Sequence, residues 1–202
     1  MLLNPTLEAT IEQAKSLPIP KERKEVLHKL VEYIQKKKDN GEPVLLNFIC
    51  THNSRRSQFG QIWAKTLATE ENLDILSFSG GVEVTAFNKR AIASIKRAGF
   101  LVSHGEGENP IVEVRYSQQS PPIIAYSKVY DDASNPTEGF AAIMTCSHAD
   151  ANCPYIPGAE VRIPVMYDDP KDFDGTDEEA IKYDERSMQI ASELSYAFSR
   201  VI

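Results

Sequence analysis

Phe48-Ile49-Cys50-Thr51-His52-Asn53-Ser54-Arg55-Arg56-Ser57 decides how this chain is read: a cysteine leaves an apolar run, and an Arg-Ser pair follows after five intervening residues. Upstream, Val44, Leu45, Leu46, Phe48 and Ile49 form the near-continuous apolar run of a strand covered on both faces. Downstream, the stretch from Ser57 to about Thr69 fits a helix. Strand, tight loop and helix in that order make an anion site. Loop N–H groups and the positive helix end face whatever sits in the curve, and they favour thiolate over thiol at Cys50. The five-residue spacing lets the chain close one turn, returning the Arg56 guanidinium over the thiol to grip an oxyanion through two parallel hydrogen bonds. Ser57 is then placed to donate its hydroxyl to the sulfur. The bland alternative is a cysteine acting as a small hydrophobe at a strand end.

Working outward, Leu73–Phe78 reads as a second strand, and Ala91, Ile92 and Ile95 mark a helix stopped by Gly99. Phe140–Met144 and Val161–Val165 read as third and fourth core strands. Ile190, Leu194, Ala197, Phe198 and Val201 share the face of a last helix. This alternation predicts an α/β fold, a four-stranded mostly parallel sheet flanked by helices. Two segments stand outside it. Residues 1–42 form an N-terminal helical extension, in which Val26, Leu27, Leu30, Val31 and Ile34 make an apolar stripe that covers the main domain or serves a homodimer contact. The remainder, residues 43–202, forms the α/β domain and carries a β-hairpin insert at about 105–137, built from Ile111–Tyr116 and Ile123–Tyr126.

Composition narrows the function classes. The chain has 202 residues, 22 basic against 29 acidic, for a formal charge of −7, so a nucleic-acid partner is not expected. No apolar run approaches the roughly 20 residues of a membrane-spanning helix, and Met-Leu-Leu-Asn-Pro does not resemble a secretion signal. The expected setting is the cytoplasm. Three cysteines are an odd number for a disulfide framework.

The other two thiols lie in Cys146-Ser147-His148-Ala149-Asp150-Ala151-Asn152-Cys153-Pro154, again just after a core strand. Six residues between cysteines is not a common zinc spacing, so neither a metal with His148 or His104 nor any other cofactor is expected. A redox pair fits better. Seven positions apart on a helix the two would stand about 10 Å apart along the axis, too far for a disulfide, so oxidation must melt or loop out the segment.

Cys-Thr-His-Asn-Ser-Arg-Arg-Ser-Gln resembles the active-site loop of low-molecular-weight protein-tyrosine phosphatases and of the thioredoxin-coupled arsenate reductases built on the same fold. The likeness covers roughly residues 43–104 and 138–202. His52 stands where those families usually have Gly, and Arg55 where they have Cys. His52 strains the loop if its position needs a positive φ, or adds a donor to the site; Arg55 is expected to be exposed. The resemblance implies oxyanion binding by Thr51, His52, Asn53, Ser54, Arg55 and Arg56, with Cys50 as nucleophile. Asp169, directly before Pro170, matches the general acid of both families. The Cys146-x6-Cys153-Pro154 element resembles the arsenate reductases, and the tandem tyrosines of many of the phosphatases are missing after Pro170.

Three functions follow as expectations. The leading one is arsenate reduction by Cys50, Cys146 and Cys153, with the resulting disulfide reduced by a thioredoxin-like partner. The second is phosphomonoester hydrolysis through a phosphocysteine on Cys50. The third is a non-catalytic oxyanion or redox sensor that signals through the N-terminal helices and the insert.

Overall fold

The computed structural model describes residues 3–152 and 155–202. Four strands, β1 (Val44–Cys50), β2 (Ile75–Gly81), β6 (Phe140–Met144) and β7 (Ala159–Pro164), form one sheet in the order β2-β1-β6-β7. Every pairing in it is parallel. The β1 run is central because its residues are apolar on both faces. Val44, Leu46 and Phe48 point into the larger core, while Ile49 joins Phe140, Ala142 and Met144 in a smaller one.

The larger core is covered by helices α1 (Pro5–Ser16), α2 (Lys21–Asp39), α3 (Arg56–Glu70), α4 (Lys89–Arg97) and α6 (Glu179–Phe198). Trp63 anchors it, fully buried, with its indole N–H donating to Ser187 Oγ at 2.9 Å and its ring edge-on to Phe100. The smaller core lies under α5 (Ser147–Asn152).

Leu7, Ile11 and Ala14 of α1 and Leu27, Leu30 and Ile34 of α2 belong to the same apolar cluster as the sheet. The α2 stripe is therefore spent inside the chain, where each fully buried Leu or Ile is worth about 1.5–3 kcal/mol. Gly99 ends α4 at φ +103, and a Cβ there would stand 2.4 Å from the Leu7 nitrogen. That position thus serves both the helix stop and the seating of α1.

The insert is larger than a hairpin. The expected pair is present as β4 (Val112–Arg115) and β5 (Ile123–Ala125), and β3 (Leu101–His104) adds a third antiparallel strand. Leu101-Val102-Ser103-His104 is largely exposed, so it lacks the apolar run or inward alternation by which a strand is recognised. Among the described residues no helix is long and apolar enough to cross a membrane, and no group of His, Cys, Asp and Glu is arranged to hold a metal ion.

Candidate active site

Cys50 ends β1, and α3 begins at Arg56, so residues 51–55 make the turn between them. Four successive carbonyls of this turn accept hydrogen bonds from groups around it. Thr51 O takes Val82 N at 2.8 Å, His52 O takes Ser127 Oγ at 2.8 Å, Asn53 O takes Gln58 Nε2 at 3.0 Å and Ser54 O takes Asn88 N at 2.9 Å. A trans peptide carries its N–H on the side opposite its C=O, so the amides of residues 52–55 are turned toward the inside of the loop. The result is a concave array of donors at a helix N-terminus, suited to an oxyanion.

The left-handed residue of the loop is Asn53 at φ 46, and His52 is not among the positive-φ positions. The feared strain at His52 is therefore absent, because an asparagine takes that conformation one residue later. The His52 imidazole instead faces Glu83 at 3.2 Å. Asn53 is fully buried and ties three elements together. Its Nδ2 donates to Ser57 Oγ at 2.8 Å, and its Oδ1 accepts from Lys128 N at 3.0 Å. Gly81 on β2 lies opposite Cys50 in register, and a Cβ there would come within 2.7–2.8 Å of Asn53 N and Thr51 O. Close backbone approach explains that glycine.

Cys50 is buried, with Sγ 3.1 Å from Ser57 Oγ. Ser57 already accepts from Asn53, so with Cys50 ionised its single hydroxyl proton is free to go to the sulfur. Arg56 is held by the segment after β7: Nη1 donates to Tyr167 O at 2.9 Å and Nη2 to Asp169 Oδ2 at 2.6 Å. Its Nε is buried with no partner among the described residues. Asp169 also caps the short helical turn Pro170–Phe173, accepting from Lys171 N at 3.1 Å.

Arg55 is not exposed: only 12% of its side chain is accessible. Its Nε donates to Tyr183 Oη at 2.9 Å, with Asp169 at 3.8 Å and Asp174 at 4.0 Å from the guanidinium. These acceptors come from the Asp-Pro loop and α6, so no local pattern around Arg55 announces them. Burial, with the Tyr183 hydroxyl donating to Asp174, pushes the Tyr183 phenol up to about 12.

The second thiol stands at the rim of the loop. Ile49 pairs with Met144 across β1 and β6, which brings the residues just beyond each strand together. Thr51 Oγ1 lies 3.4 Å from Cys146 Sγ and 3.2 Å from His148 Nδ1. Cys146 is buried in the same small core as Cys50. Residues 147–152 are helical, as a Cys-x6-Cys helix segment would require, and Cys153 and Pro154 lie outside the described residues. The insert meets the loop through Tyr126-Ser127-Lys128. Its β3–β4 turn forms one side of a groove of about 780 Å³ beside His52, Ser54 and Arg55, so it walls the thiol loop.

No protein-family profile matches the chain. An arsenate reductase of Halalkalibacterium halodurans is 27% identical over 135 residues, covering 67% of this chain and 80% of that protein. An arsenate reductase of Staphylococcus aureus is 31% identical over 110 residues, 54% of this chain and 66% of the relative. A low-molecular-weight phosphotyrosine phosphatase from Vibrio cholerae O395 shares the fold at a TM-score of 0.51, with 14% identity over 77% of this chain and 94% of that one. The arsenate reductase relatives and this shared fold together support the low-molecular-weight protein-tyrosine phosphatase superfamily. The chain is an enzyme of the arsenate reductase or the phosphatase type. Within that superfamily's fold, Cys50, Ser57, Arg56 and Asp169 converge on one loop, and Cys146 stands beside it. Tyr167, Tyr183, Asp174 and Gly81 were not among the expected site residues. The Gly80-Gly81 pair at the end of β2 was the one available signal, since paired glycines at a strand end mark a close backbone approach.

Proposed function

We propose that this protein is a thiol-dependent arsenate reductase working in a reducing cytoplasm. The observation that carries the reading is a second thiol, Cys146, set against the hydroxyl of Thr51 at the rim of the Cys50 loop. Hydrolysis of a phosphoester has no use for it.

In the first step Cys50 thiolate attacks arsenic. An As–O bond breaks, and Asp169 supplies the proton that lets the oxygen leave as water. The inward amides and the three N–H groups of Arg56 that remain beyond its bonds to Tyr167 and Asp169 hold the charged oxygens. Cys146 thiolate then attacks Cys50 Sγ. The S–As electron pair stays with arsenic, reducing it from the pentavalent to the trivalent state, and arsenite leaves a Cys50–Cys146 disulfide. Cys153 attacks Cys146 Sγ, releases Cys50 as thiolate, and forms the 146–153 disulfide. A thioredoxin-like dithiol reduces that bond by exchange. The helical 147–152 segment must open for this last bond to close, because seven positions along a helix amount to about 10 Å of axial rise, beyond the reach of a disulfide.

Replacing Cys146 or Cys153 by serine is expected to abolish multi-turnover arsenate reduction with thioredoxin. Full turnover in both variants rejects the scheme. Phosphomonoester hydrolysis is the second reading, favoured by the Cys50–Ser57 and Arg56–Asp169 contacts, which suffice for a phosphocysteine. Aryl-phosphate turnover that exceeds arsenate turnover and is indifferent to both serine variants selects it.

A further inference from the structure

Arg23 lies in α2, in the N-terminal extension, yet it reaches the segment that carries Asp169. Its Nη1 donates to Met166 O at 3.1 Å, and its guanidinium lies over the Tyr167 ring, 5.1 Å from the centroid. Nε and Nη2 take both carboxylate oxygens of Glu193 on α6, the first at 2.8 Å. Glu193 is 2% exposed and also accepts from Gln189 Nε2, so the arginine is fixed from behind by a buried, fully engaged anion.

Tyr167 is gripped from the other side as well. Its N–H donates to Thr145 O at 3.1 Å, and its carbonyl takes Arg56 Nη1. The consecutive carbonyls of Met166 and Tyr167 are thus held by two guanidiniums, one from the N-terminal extension and one from the thiol loop. Asp169 follows two residues later. A lysine in place of Arg23 would supply a point charge without the planar fork that spans Glu193 and Met166 O at once.

We propose that Arg23 is a positioning residue for Asp169: the N-terminal helix clamps the Asp-Pro loop through the Met166 carbonyl and the Tyr167 ring, and so sets the aim of the general acid. This rests on Asp169 being that acid. It also gives the extension a role in the chemistry, since a catalytic group is effective only when its supporting contacts hold it to a fraction of an ångström.

Aryl phosphates test it, because they report the attack step for either activity. Cys50 Sγ bonds to phosphorus, the P–O bond to the aryl group breaks, and Asp169 gives its proton to the departing oxygen. Phenol is a poor leaving group and needs that proton; 2,4-dinitrophenol does not. Arg23→Gln is expected to slow phenol release at least about tenfold, while dinitrophenol release changes less than about twofold. Combined with Asp169→Asn, it is expected to cause no further loss, because a residue that acts through another has no effect once the other is gone. Arg23→Lys, which keeps the charge beside Glu193, should show the same signature and guards against a misfolded glutamine variant.

Equal losses for both leaving groups, or a loss that persists in the Asp169→Asn background, overturn the positioning role. If Asp169→Asn alone leaves phenol release unchanged, the acid assignment fails, and this inference fails with it.

Discussion

Replacing Ser57 by alanine separates the reactivity of the thiol loop from its architecture. Ser57 is fully buried, accepts from Asn53 Nδ2 at 2.8 Å and lies 3.1 Å from Cys50 Sγ. Alanine removes a hydrogen bond to a charged sulfur, worth about 1.5–3 kcal/mol. At about 1.4 kcal/mol per tenfold, that slows thiolate chemistry by about 10- to 150-fold. The same change leaves the buried Asn53 Nδ2 short of an acceptor, at a stability cost of about 1–3 kcal/mol. For a chain of this size each kcal/mol lowers Tm by about 2–4 °C, so measurements well below the transition keep the two effects apart. The assay is iodoacetamide alkylation of Cys50 at pH 7 in a Cys146→Ser, Cys153→Ser background, where Cys50 is the one thiol of the three remaining. Alkylation of the alanine variant within about twofold of its parent would refute the claim that Ser57 supports the thiolate.

Gly60→Ala would place a Cβ 2.4 Å from Phe48 Cδ1, against a ring packed into β1, and is expected to cost about 1–3 kcal/mol by overpacking, read as a lowered denaturation midpoint. Lys128 is 4% exposed, and burial pulls its ammonium down to about 8 from the usual 10.5. Between those values the unfolded chain binds more protons than the folded one, so this group's contribution to stability rises with pH across that window. Lys128→Met is therefore expected to be more stable than the parent at pH 7, by up to about 3 kcal/mol for a depression of that size, and to lose the advantage by pH 10.5. A stability difference that stays flat from pH 7 to 10.5 in urea titrations would contradict this.

The strands covered on both faces were legible in the sequence. Phe140–Met144 is an unbroken apolar run and Val44–Cys50 is broken only by Asn47, and such runs have few other structures open to them. The second strand was expected over Leu73–Phe78 but extends to Gly81, because Ser79-Gly80-Gly81 looks like a turn. Those glycines are there for clearance instead: a Cβ on Gly80 would meet Tyr130 Cα at 2.2 Å. Cys50, Ser57 and Arg56 were legible because one turn of chain fixes their relations. Arg23, Arg55 and Tyr183 act through partners on other elements, at separations of 170 and 128 residues for the Arg23–Glu193 and Arg55–Tyr183 contacts. Such pairings exist only once the helices have packed.

The central claim is that three thiols share one reaction. Intact-mass and peptide mapping after a single turnover with arsenate, without thioredoxin, tests it directly. The account predicts one disulfide, between Cys146 and Cys153, with Cys50 free and one arsenite released per chain. Three free thiols after exposure to arsenate, in protein that still releases phosphate from an aryl ester, would contradict it.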